Sequence, residues 1–256
     1  MGGLSNRHPQ KRMVVLTAAL ALTTAQQLSA IMLVDRGLPT DNLNNAALVN
    51  RSNVAWLDNG YIDANNYLLF GDSFTNTSSN SWTIDTIRLW SMKNTESASL
   101  WGGISGSAIG IVANTASISD AKYADLTTYQ RSSGAYLDMH QIDFAVNITL
   151  APGQVYDFYF DGRSSDSGYT LAFVHASNAA LSGSPQDGAN DSMLALDIVN
   201  GVAGSPVSWT SLGNGWNKSS DINVQAFGTV PDGGTTLVLL GGALTGLGAL
   251  RRKFRA

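Results

Sequence analysis

Apolar and polar residues alternate one by one along the stretch HQIDFAVNITL, residues 140–150. The apolar positions are Ile142, Phe144, Val146, Ile148 and Leu150. Because successive side chains of an extended chain point to opposite faces, this period of two predicts a β-strand with one buried face. The turn-like APGQ and the aromatic run VYDFYF follow, and Asp161-Gly162 starts a further turn before GYTLAFVHAS. Residues 140–176 are therefore predicted to form a three-stranded antiparallel meander.

A second alternating stretch, SWTIDTIRLWSM, contains one slip. Its apolar positions run through Trp82 and Ile84 and then shift to Ile87 and Leu89. One extra residue in a strand produces such a shift, so a β-bulge is predicted near Asp85-Thr86.

Short strands are also predicted elsewhere, at 66–70, 107–113, 193–199, 206–211 and 221–228. Between the two ends of the chain, no segment shows a helical period over three turns. Short strands separated by Gly, Asn and Ser predict an all-β protein with a single antiparallel β-sandwich or jelly-roll domain over residues 31–228.

Composition and charge exclude several classes of function. The 256-residue chain has no cysteine, which excludes disulfides, cysteine nucleophiles and cysteine metal ligands. The net charge of −4 conceals an asymmetry, since residues 31–230 hold eight basic and eighteen acidic residues. A central region with a formal charge of −10 repels phosphate, so nucleic acid is not an expected partner.

The first thirty residues have the layout of a secretory signal peptide. A basic region ends at Lys11 and Arg12, residues 13–22 are apolar, and a stretch of small and polar residues leads to Ala30. We expect export through the Sec translocon and cleavage by signal peptidase after Ala30, with Ala25 as the alternative position. An amphipathic or buried first helix is the structural alternative.

The C-terminal segment predicts a transmembrane helix. Residues 235–250 carry no charge and would form a helix about 24 Å long, against a hydrocarbon core of roughly 30 Å. The basic residues after it would stay on the cytoplasmic side and leave the body outside. These membrane-stop residues are Arg251, Arg252, Lys253 and Arg255.

A short motif precedes this apolar segment: Val230, Pro231, Asp232, Gly233 and Gly234. Motif, apolar helix and basic block in this order resemble the VPDSG-type member of the PEP-CTERM sorting signals, with Gly233 where the family has Ser. These tags occur on exported bacterial proteins and are read by a membrane protease, exosortase. The resemblance implies that residues 229–256 are a sorting signal and a transient membrane anchor. It also implies cleavage near the motif and delivery to the cell surface or its exopolysaccharide. The alternative is a plain tail anchor with a Pro-Gly linker.

The body offers two kinds of candidate metal ligand. Oxygen-rich loops could hold calcium through Asp161, Asp166, Asp187 and Asp191, although turn chemistry alone explains Asp and Asn in such loops. His140 and His175 each fall at the edge of a predicted strand and could meet across adjacent strands as metal ligands or as a base. A histidine that is simply hydrogen-bonded is the alternative.

Candidate binding and catalytic residues remain less sharply defined. Trp209 and Trp216 flank the turn SLGNG and could stack on sugar rings, or could simply pack in the core. Glycoside hydrolysis requires a matched pair of carboxylates. Nothing singles out a pair among Glu96, Asp138, Asp143 and Asp157, so no enzymatic activity is predicted.

Together these observations predict an exported, non-enzymatic protein with a structural or adhesive role at the cell surface or in the extracellular matrix. The alternative is a carbohydrate-binding, lectin-like module, with or without a requirement for calcium, that has polysaccharide as its partner.

Overall fold

A computed structural model describes the greater part of the body. The described residues are 30–37, 52–55, 65–92, 95–114, 116–120, 128–130, 136–164, 172–178, 193–208 and 220–230, with Gly241, Gly242, Leu244 and Arg251 near the C-terminus. The predicted signal peptide lies outside this part of the chain, apart from Ala30.

The described body consists of strands in two antiparallel sheets. The first sheet contains β1 Ile31–Asp35, β2 Ser52–Ala55, β4 Trp82–Met92, β7 Ala116–Asp120, β8 Thr128–Gln130, β9 Tyr136–Leu150, β11 Phe173–Asn178, β15 Ser220–Ile222 and β16 Val224–Thr229. The second contains β3 Tyr67–Thr75, β5 Thr95–Ile104, β6 Gly110–Ala113, β10 Val155–Ser164, β12 Leu194–Val199, β13 Val202–Ala203 and β14 Val207–Ser208. The prediction of an all-β, antiparallel body is confirmed; the jelly-roll connectivity and the domain bounds stay predictions.

One hydrophobic core is shared by the two sheets. Buried side chains from both belong to a single cluster. Phe144 on β9 meets Phe160 on β10 edge to face, with 6.4 Å between the ring centroids. Burial of aromatic and branched side chains between two sheets is the main source of stability for such a body.

The alternation in residues 140–150 appears as predicted in β9. Ile142, Phe144, Ile148 and Leu150 are buried, whereas the intervening Asn147 is exposed. The predicted bulge is also present, because Ile84 pairs with Gly228 and Thr86 with Phe227 of β16, which leaves Asp85 as an extra residue in β4.

The predicted meander over 140–176 is wrong. β9 pairs with β4, β7 and β8 in the first sheet, whereas β10 pairs with β3 and β5 in the second. The APGQ turn therefore joins the two sheets and does not close a hairpin. β11 then returns to the first sheet beside β4.

The expected turn at Asp161-Gly162 is also wrong, since both residues lie within β10. Asp161 pairs with Ser99 and Gly162 with Ala98 of β5. Glycine at 162 leaves room for the neighbouring Phe160 ring, which lies where a Cβ would project.

Candidate functional site

The start of the sorting motif is fixed by an interior strand of the first sheet. β16 lies between β1 and β4, and Val230 follows it directly and packs against the core. Val224 and Ala226 of β16 are fully buried. The strand that carries the motif is therefore held on both edges.

Glycine is required where β16 crosses the bulge of β4. Gly228 pairs with Ile84, and a Cβ at Gly228 would meet the carbonyl oxygen of Thr83 and come within 2.8 Å of Ile84 Cα. The backbones approach closely here, so only a residue without a side chain fits.

The two ends of the described body are neighbours. Ile31, the first residue of β1, pairs with Gly228, and Met32 pairs with Phe227. Paired residues in antiparallel strands lie about 5 Å apart. The predicted signal-peptidase site after Ala30 and the start of the sorting motif therefore lie at the same end of the same sheet.

Three loops surround this end of the body and together form what we call the loop platform: residues 76–81, 105–109 and 151–154. The first joins β3 to β4 and the third joins β9 to β10, so both pass from one sheet to the other. The second joins β5 to β6.

Hydrogen bonds hold the loop platform together. Asn76 donates its backbone NH to the Gln154 carbonyl at 3.0 Å and accepts from the Gly153 NH at 2.8 Å. Its buried side-chain amide also donates to the carbonyl oxygens of Asn80 and Leu150, both at 2.8 Å. Ser105 donates to the carbonyl of Val155 at 2.9 Å.

The loop platform carries no charged side chain. Residues 76–81 read NTSSNS, 105–109 read SGSAI, and 151–154 read APGQ. Exposed Glu96, Asp120 and Asp138 lie at the opposite end of the sheets, whereas exposed Asp85 lies in the bulge of β4, between the partners of Gly228 and Phe227. The three loops at the end from which the sorting motif leaves are therefore polar but neutral.

Most of the sorting signal falls outside the described residues: Pro231, Asp232, Gly233 and Gly234, and also Arg252, Lys253 and Arg255. Gly241, Gly242, Leu244 and Arg251 are helical and exposed. Within the part of the chain that the structure describes, no helix has the length and apolar character required to cross a membrane.

A buried polar cluster lies at the other end of β1. The Arg36 guanidinium is 2.8 Å from the Asp72 carboxylate, and both side chains are about 1% exposed. Asp72 also accepts from the backbone NH of Ile222 at 2.8 Å and of Ser73 at 2.7 Å. Burial raises the pKa of Asp72 to about 6, although the Arg36 charge and these hydrogen bonds oppose the shift.

The same cluster extends to a buried histidine through one amide. Asn223 donates its side-chain NH to the Arg36 carbonyl at 3.0 Å, and its amide oxygen is 2.6 Å from His175 Nδ1. His175 is fully buried, and this burial lowers its pKa to about 4 despite the hydrogen bond to Asn223. Neutral His175 thus links β11 to the β15–β16 segment.

The two histidines do not meet. His140 pairs with Ser91 of β4, and Ser91 pairs on its other edge with Val174, the residue before His175. β4 therefore runs between them. Because directly paired residues share a face and successive residues alternate, His140 and His175 point to opposite faces of the sheet. His140 is 3.6 Å from the Asp120 carboxylate.

Asp161 is the one predicted calcium ligand that lies among the described residues, and it is ion-paired with an arginine. Asp161 is buried in β10, with its carboxylate 2.9 Å from Arg163 Nε, and it accepts from the Tyr67 hydroxyl at 3.3 Å. A guanidinium in that position repels a cation. Asp166, Asp187 and Asp191 lie outside the described residues. Among residues that the structure describes, no three His, Cys, Asp or Glu side chains cluster as metal ligands.

The other candidate residues are dispersed. Asp143 forms an ion pair with Arg88 at 2.6 Å in the first sheet, whereas buried Asp157 lies in the second. Asp138 and Glu96 are exposed. Trp209 and Trp216 lie outside the described residues, so their role stays a prediction.

Sequence reasoning did not single out Arg36, Asp72 or Asn223. A signal was available for Asp72, because it interrupts the run YLLFGDSF, and a charge inside an apolar strand is almost always paired. The partner lies 36 positions away, in the segment VDRG, and no local pattern connects the two.

This body is a two-sheet antiparallel protein whose last described strand leads directly into a C-terminal signal. Residues 229–254 match the family model of the VPDSG-CTERM motif, and the chain therefore carries this motif at its C-terminus. Neither the curated proteins nor the solved structures yield a match to the chain.

Proposed function

We propose that this chain is an exported protein that an exosortase-type membrane protease cuts within residues 230–234 and delivers to the cell surface. The match of residues 229–254 to the VPDSG-CTERM motif carries the proposal. Before the cut, residues 235–250 would hold the protein transiently in the membrane, with the basic tail on the cytoplasmic side.

The position of the motif supports this function. Its match begins at Thr229, the last residue of β16. A cut after Val230 removes the membrane segment and leaves every described strand of both sheets intact.

We further propose a structural or adhesive role for the body, in contact with surface polysaccharide and without enzymatic activity. The absence of a paired catalytic site among the described residues supports this role, since the candidate carboxylates are dispersed over two sheets and Asp143 forms an ion pair with Arg88.

The test is intact-mass measurement of the protein from cells with and without the sorting enzyme. We expect a mature chain that starts at Ile31 and ends between Val230 and Gly234, and an uncut C-terminus when the enzyme is absent. Asp232→Asn should block the cut, whereas Asp221→Asn, outside the motif, should leave it unchanged. If Arg252 persists in membrane-extracted protein while the enzyme is active, sorting is excluded and a plain tail anchor remains.

A further inference from the structure

We propose that the loop platform is the face of the body that contacts the sorting enzyme while the motif is cut. This inference rests on the proposed function and names the surface through which the folded body meets that partner.

The sorting motif extends only a short distance beyond the folded sheet. Val230 is packed against the core, so only residues 231–234 separate the folded sheet from the end of the motif. Four extended residues span at most about 14 Å. A protease that binds this stretch as an extended peptide must bring its own surface up against the end of the sheet.

The end of the sheet from which the motif leaves is next to the loop platform. Thr229 pairs with Thr83 of β4, and the neighbouring Trp82 pairs with Leu150 of β9. The Leu150 carbonyl accepts from Asn76, which holds the loop platform together. Strands are about 4.8 Å apart, so the platform begins within roughly 10 Å of the point where the motif leaves.

The surface of the loop platform is ordered and uncharged. Its loops are ordered by hydrogen bonds and expose Thr77, Ser79 and Ser107 without any charge. A neutral, ordered surface can be brought against a protein without leaving a desolvated charge unpaired. The absence of Lys and Arg from the loop platform gives it no attraction to anionic lipid headgroups, which favours the enzyme over the bilayer as the partner.

The experiment follows the rate of C-terminal processing in pulse-labelled cells that contain the sorting enzyme. One variant of the full chain carries Thr77→Glu, Ser79→Glu and Ser107→Glu, and a second carries lysine at the same three positions. The matched control places glutamate at exposed positions of the opposite end, through Ser97→Glu, Val199→Glu and Val202→Glu. Unfolding temperatures of the purified proteins verify that each variant folds.

We expect both platform variants to be processed about tenfold more slowly than wild type, because charges of either sign would be buried against the enzyme. The opposite-end control should stay within about twofold. Ten Gly/Ser residues inserted between Thr229 and Val230 keep the motif contiguous, add a reach of roughly 17 Å and should restore processing of the glutamate variant.

Three results would overturn the contact. The platform variants could be processed at the wild-type rate, the spacer could fail to restore cutting, or lysine could accelerate processing while glutamate slows it. The last result would assign the face to anionic lipid instead. Wild-type protein that is never cut would overturn the proposed function itself, which separates the two failures.

Discussion

At the scale of single residues, the buried cluster contains two groups, Asp72 and His175, whose ionisation changes the stability of the fold in opposite directions as pH falls. The pKa of Asp72 is raised from 3.8 to about 6, so the folded protein holds that proton more tightly than the unfolded chain. Its contribution therefore grows as pH falls from 6 toward 4. The pKa of His175 is lowered from 6.5 to about 4, so its contribution is lost over the same fall in pH.

We predict that substitution of His175 changes how the free energy of unfolding depends on pH. Because a shift of one pKa unit corresponds to about 1.4 kcal/mol, the stability of wild type relative to His175→Gln should fall by roughly 3 kcal/mol between pH 7 and pH 4. Urea unfolding at several pH values measures it. The opposite holds for Asp72: wild type should gain stability relative to Asp72→Asn as pH falls below 6, so the variant should lose stability more steeply than wild type. Parallel curves for all three proteins would contradict the prediction.

A second prediction at this scale concerns glycine. Gly228→Ala should destabilise the protein by about 1–3 kcal/mol, because the new Cβ would collide with the backbone of Thr83 and Ile84. Gly110→Ala is the matched control, since nothing lies within 4 Å of a Cβ there. Thermal unfolding should separate the two variants, and equal losses would show that β16 can shift away from β4.

At the scale of elements, the sequence predicted which face of a strand is buried better than it predicted which strands pair. Alternation identified the buried side of β9, and the slip from Ile84 to Ile87 located the bulge of β4 against β16. A period of two residues specifies which side chains share a face and says nothing about which strand lies alongside. For this reason the four residues 151–154 looked like a hairpin turn although they connect two sheets.

Strands with little apolar alternation escaped prediction altogether. β5, with the sequence TESASLWGGI, is an interior strand of the second sheet and pairs with β6 and β10. Its glycines allow the close approach of a neighbour, since a Cβ at Gly102 would lie 2.5 Å from the Tyr156 hydroxyl. Such tertiary reasons for a residue cannot be seen in a single segment.

The same distinction applies to the candidate site. The sorting motif was predictable because its parts are contiguous in the sequence: a turn-prone Pro-Asp-Gly-Gly stretch, an uncharged apolar segment and a block of basic residues. The loop platform was not, because residues 76–81, 105–109 and 151–154 come together only through pairings between distant strands.

At the scale of the whole molecule, removal of the residues after Val230 should leave the stability of the body unchanged. A chain that ends at Val230 retains β16 between β1 and β4, so its unfolding temperature should match that of the full-length protein in detergent within a few degrees. A chain that ends at Asn223 lacks β16, exposes its neighbours and should fail to unfold cooperatively. Circular dichroism on heating measures both. A large loss in the longer fragment would show that the tail contributes to the fold.

An attachment at the new C-terminus would also set how the molecule bears mechanical force. A pull on Val230 acts along β16, whose backbone is bonded to β1 on one edge and β4 on the other. Hydrogen bonds on both edges would then be sheared together, whereas bonds at the end of an edge strand open one after another. A surface protein tethered in this way would resist flow at the very point where it is fastened.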